Sequence, residues 1–109
     1  MAIEDIVVNQ GAKVPAGTNL RVNVHNPGTY HETGPSTVTL YVRGNAAEPW
    51  RVVQSWNHSN GLRAGYRQSH DYFASVEGQM DPAFYQDDFL VRAVVVSGGK
   101  EAATEVIAR

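Results

Sequence analysis

Four histidines, His25, His31, His58 and His70, are the side chains best suited to proton transfer or metal binding near neutral pH. Zinc motifs place two such ligands about three to five residues apart, and no pair here is that close. His31-Glu32 and His70-Asp71 are adjacent pairs, and neighbours on a strand point to opposite faces. The four therefore read as exposed or loop histidines. Glu77, Asp81, Asp87 and Asp88 share one segment, where a loop can gather carboxylates around calcium. They lack EF-hand spacing, so they are weak metal candidates and read first as solvated carboxylates. No serine lies in a G-x-S-x-G elbow, and no glycine-rich phosphate loop occurs. With no cysteine in the chain, disulfides, thiolate metal sites and thiol nucleophiles are excluded. No catalytic set and no cofactor are expected.

Aromatic side chains are the remaining handle. Trp50 and Trp56 share parity along one strand, so both are expected on the same side, with core packing favoured over exposure. Tyr30, Tyr66 and Tyr85 flank polar loops and are expected at the surface. Exposed rings of this kind suit a sugar ring or a protein hot spot. The candidate binding set is therefore Tyr30, His31, Trp50, Trp56, His58, Tyr66 and Tyr85.

The elements that must position these residues are short β-branched or aromatic runs separated by Gly, Pro and Asn. Ile3 to Val8 is a first strand. Leu20 to His25 alternates apolar and polar residues strictly, the mark of a half-buried strand, and Asn26-Pro27-Gly28 stops it. Val38 to Val42 alternates again, and Trp50 to Trp56 reads as the fourth strand. Tyr66 to Val76 carries Tyr72, Ala74 and Val76 at strand spacing. Gly78 to Asp88 reads as a loop with a helical turn at Pro82 to Tyr85. Phe89 to Val96 is the most apolar run, Ser97-Gly-Gly-Lys100 reads as a hairpin turn, and Thr104 to Ala108 closes the chain as an edge strand. No window shows a helical apolar stripe, and strands do not alternate with helices. The sequence predicts an all-β fold: a two-sheet antiparallel sandwich of the immunoglobulin-like kind, with about seven strands.

A chain of 109 residues with 42% hydrophobic and 18% charged residues fits one domain, spanning 1–109, with one core. A formal net charge of −2 gives no broad attraction for nucleic acid or an anionic membrane, and the seven arginines are scattered. No stretch approaches the roughly 20 apolar residues that span a bilayer. The acidic start, Met1-Ala-Ile-Glu-Asp, is unlike a secretory signal. A cytoplasmic protein, export without a signal peptide, and an excised module of a larger surface protein all fit.

Several segments together resemble a known family. Gly17 to Gly28 resembles the second strand and following turn of CARDB-like domains, and Val38 to Gly44 resembles their next strand. Leu62-Arg-Ala-Gly65 resembles the Leu-x-x-Gly step into the fifth strand. Met80-Asp-Pro82 followed by Phe89 to Val94 is similar to the sixth-strand region shared with fibronectin type III domains. Those folds often open the sixth strand with a tyrosine that pins the preceding loop. Phe89 holds that position here, with Tyr85 four residues earlier as its substitute. The resemblance implies an adhesion or assembly role at a cell surface and supplies no catalytic residues.

The function expected is thus a non-catalytic binding or scaffolding module with a protein partner, in the simplest case a second copy. The alternative is carbohydrate recognition through exposed aromatics, and a small enzyme with an unrecognised site comes third.

Overall fold

The structure is a computed structural model, and it describes residues 2–9, 18–26, 28, 35–58, 62–74, 81–97 and 100–108. Seven eight-residue strands follow one another: β1 (Ala2–Asn9), β2 (Thr18–His25), β3 (Ser36–Arg43), β4 (Arg51–His58), β5 (Arg67–Ala74), β6 (Leu90–Ser97) and β7 (Lys100–Ile107). A 3₁₀ turn at Pro82–Tyr85 precedes β6. The strands form two antiparallel sheets, ordered β1-β2-β5 and β4-β3-β6-β7. This is the expected β-sandwich. The first, second and fifth strands share one sheet and the third, sixth and seventh the other, as in immunoglobulin-like sandwiches, while the fourth strand pairs with the third instead of the fifth.

Alternation decides which residues meet inside. Leu20, Val22 and Val24 of β2 face Val38, Leu40 and Val42 of β3 and Val91, Ala93 and Val95 of β6, all almost fully buried. Phe84 and Phe89 close one end of this core, their rings edge-to-face at 5.2 Å, and Tyr72 stacks on Phe84 at 6.0 Å. Phe89 is fully buried, as a ring without a hydroxyl should be, while Tyr85 is about half exposed. The other end of the inner face is polar. Ser36 pairs in register with His58 on one side and Ser97 on the other, and Ser36 and Ser97 are both buried. Asn26 is buried at this same end. Its Nδ2 donates to the Leu62 carbonyl at 2.8 Å, and its carbonyl accepts from Gly65, which sits at φ 79°. Glycine suits that left-handed backbone.

Two β-bulges interrupt the ladders. Leu40 pairs with Gln54 and Tyr41 with Val52, so Val53 is an extra residue in β4. Ile3 pairs with Val24 and Asp5 with Asn23, which makes Glu4 the extra residue of β1. β7 begins at Lys100, four residues before the expected start at Thr104, because it pairs with β6 from the Ser97–Lys100 rung onward. Val76 lies outside the described residues. No helix among the described residues is long and apolar enough to cross a membrane.

Candidate functional site

The bulge at Val53 decides where the β4 side chains point. Without it, Trp50 and Trp56 would share a face. With it, Arg51 and Val53 face inward on one side of the irregularity, and Trp56 and His58 on the other. The shared-face expectation for the two tryptophans is therefore corrected. Trp56 packs against the core, while Trp50 sits beside Arg43 and Leu90 on the outer face of the larger sheet.

On the inner side, β4 and β5 are the edge strands of different sheets, and they face one another across an open seam. His58 Nε2 and His70 Nε2 lie 3.1 Å apart across it. Trp56 stacks on His70, with ring centres 5.0 Å apart and planes 21° from parallel. Gln68 Nε2 donates to His58 Nδ1 at 3.4 Å. The two Nε2 atoms share one hydrogen bond, whose direction follows from which ring carries its proton there. His70 is buried within β5, at 7% exposure, which corrects the expectation of an exposed or loop histidine. Burial pushes its pKa below the ordinary histidine value, the neighbouring His58 adds to this, and Asp71 opposes it. Asp71 points to the other face of its sheet, where Arg21 Nε donates to it at 2.9 Å. No carboxylate of the adjacent pair therefore reaches His70.

His58 and His70 are thus brought together although they are twelve residues apart in sequence. Spacing alone hides the pair, and the missing knowledge was which strands end their sheets. The usable signal was parity: Trp56 with His58, and His70 with Tyr72, each sharing a face.

On the outer side, the larger sheet carries Tyr41, Arg43, Leu90, Arg92, Val94 and Val96, alternating with the buried positions of β3 and β6. Arg43 Cζ lies 4.2 Å from the Trp50 ring centre, a cation–π stack. Beside it is a shallow cavity of about 280 Å³, lined by Arg43, Trp50, Leu90, Glu105, Val106 and Ile107. Val52, Val96 and Ile107 are each more than two-fifths exposed around this face. Arg92 makes no hydrogen bond or ion pair among the described residues, although Glu105 is its register partner on β7.

No family model matches the sequence, and no curated protein matches it. Among solved structures, the chain is similar to Spo0M, a sporulation control protein from Bacillus subtilis, at 14% identity and a TM-score of 0.46. The match covers 94% of this chain and 46% of that one, so this chain spans less than half its length. A likeness so distant supplies neither a role nor residues.

The remaining candidates take separate places. Tyr66 and Tyr85 are exposed, as expected, at positions away from the Trp50 cavity. Tyr30, His31 and Glu77 lie outside the described residues. Asp81 is committed elsewhere: it accepts two bonds from Arg51, at 2.7 and 2.8 Å, and one from the Ala83 amide at 2.9 Å. Arg51 holds its carboxyl below the usual aspartate range. Asp87 and Asp88 are exposed, and Asp88 is a turn residue at φ 56°. Among the described residues, no group of three or more His, Asp or Glu converges as a metal cluster.

Proposed function

We propose that this chain is a non-catalytic binding module that holds a partner protein on the outer face of its four-stranded sheet. The observation that carries this is the Trp50 cavity, with Arg43 stacked on the indole and Leu90 and Ile107 beside it. Protein contact surfaces are enriched in Trp, Tyr and Arg, and Tyr41, Arg43, Trp50 and Arg92 all lie on this face. A cavity of about 280 Å³, open to one side, is at the lower limit for a small-molecule site and suits one inserted side chain. The unpaired Arg92 guanidinium asks for a carboxylate. The partner therefore presents an apolar or aromatic side chain for the cavity with an acidic residue beside it. Such a role agrees with what the CARDB-like resemblance implies.

Pairing through strand edges is less well supported than this face. β1 and β4 carry bulges, and β7 turns Lys100 toward the inner side at its start, all of which blunt edges. Glycan binding is also less favoured, because Trp56 is turned into the core and one face of Trp50 lies under Arg43.

Panning a displayed random-peptide library on the immobilised chain tests the proposal. The expected outcome is a consensus of an aromatic or aliphatic residue next to Asp or Glu, with binding weakened at least about tenfold by Trp50→Ala or Arg92→Glu. Peptides that bind both variants as well as the unaltered chain would sink it, as would a chain that enriches no peptide but responds on a glycan array.

A further inference from the structure

We propose that His58 and His70 hold a divalent transition-metal ion between the two sheets. Their Nε2 atoms face one another at 3.1 Å across the β4–β5 seam. Imidazole–metal bonds of about 2.0–2.1 Å meeting at a tetrahedral angle place two nitrogens roughly 3.3 Å apart, so an ion enters with a movement of tenths of an ångström. The rings are already aimed. Trp56 holds the plane of His70 by stacking, and Gln68 holds His58 through Nδ1. Ligating histidines characteristically donate their second N–H to an acceptor, a role the Gln68 amide oxygen takes once the amide turns.

The protons balance without loss. When the ion takes both Nε2 lone pairs, the proton shared between the two Nε2 atoms moves to the Nδ1 of the ring that carried it, and the Gln68 amide can accept from His58 Nδ1 by turning its Oε1 toward it. Burial already keeps His70 largely unprotonated, so little competes for its lone pair. The other charged group at this position, Asp71, lies on the opposite face with Arg21. Two protein ligands leave the remaining coordination positions to water on the side of partly exposed His58, which makes the site exchangeable, unlike a closed four-ligand one. Imidazole suits Zn²⁺, Ni²⁺ and Cu²⁺, and Cu²⁺ binds tightest. Because the two ligands belong to different sheets, the ion acts as a clasp along an edge that no backbone hydrogen bond closes.

Cu²⁺ and Zn²⁺ titrations of the whole chain test this. Substoichiometric Cu²⁺ is expected to broaden backbone NMR signals around His58, Gln68 and His70, with two nitrogens resolved in the EPR spectrum. Zn²⁺ is expected to raise the melting temperature, reversibly with chelator, and Mg²⁺ to leave it unchanged. His58→Gln, at the partly exposed partner, is expected to weaken Cu²⁺ binding at least about tenfold while the rest of the amide spectrum persists. Broadening centred on His25, His31, the chain start or the Asp81–Asp88 segment would overturn the proposal, as would a one-nitrogen spectrum. The wild-type broadening pattern decides the matter even if a variant fails to fold.

Discussion

At pH 7 the buried imidazole of His70 is held neutral, and this links folding to pH. The unfolded chain takes up a proton at the ordinary histidine pKa of about 6.5, whereas the folded chain resists it until lower pH. Stability is therefore fully present above that value and falls as pH drops through the sixes toward the folded pKa. Urea unfolding between pH 8 and about pH 5 is expected to show this loss, and His70→Gln to flatten the His70 part of the slope. An unchanged slope in that variant would mean the proton is taken up elsewhere. Asp81 is the other residue whose removal should be felt, since it anchors Arg51 and caps the 3₁₀ turn. Asp81→Asn is expected to cost about 2–3 kcal/mol, read as a shift in urea midpoint at constant m-value. The sequence could name both residues as titratable. It could not show that one meets a histidine and the other an arginine, because those contacts span twelve and thirty positions between different elements.

At the scale of elements, strand identity was legible and strand facing only partly so. Alternation placed β2 and β3 with their inner residues correct, since one face of each is almost wholly apolar, while β6 was legible only as an apolar run, with Val94 buried on its outer side as well. It misled in β4, where Val53 adds one residue and reverses the face of everything beyond it. Nothing in the run from Trp50 to Trp56 announces a bulge, because Val52 and Val53 are equally β-branched. Deleting Val53 removes the irregularity and swings Trp56 and His58 outward unless the strand slips. The deletion is expected to cost several-fold more stability than Val53→Ala, measured by urea midpoint. Equal costs would show that β4 slips its register to compensate. The start of β7 was missed for a related reason: Lys100 to Ala103 mixes charge with small residues, and only pairing to the strongly apolar β6 makes it a strand.

For the whole molecule, the two long sides of the sandwich are closed differently. β1 packs against β6 and β7 on one side, while on the other the seam between β4 and β5 is filled by Trp56, His58 and His70. The inner face also changes character along its length. The Phe84–Phe89 end is packed with aromatic rings and rimmed by the Arg51–Asp81 pair, and the end with Ser36, Ser97 and Asn26 holds buried polar groups, with Ser97 Oγ finding no partner among the described residues. That gradient divides the protein into two compartments of unequal protection against local unfolding. Protonation of His70 is expected to weaken the end that already carries buried hydrogen-bonding groups. The Phe84–Phe89 rings and the Trp50 cavity lie at the far end, where slower amide exchange is expected. A proton or water thus meets buried hydrogen-bonding groups at one pole, while the packing beside the Trp50 cavity rests on the aromatic rings at the other.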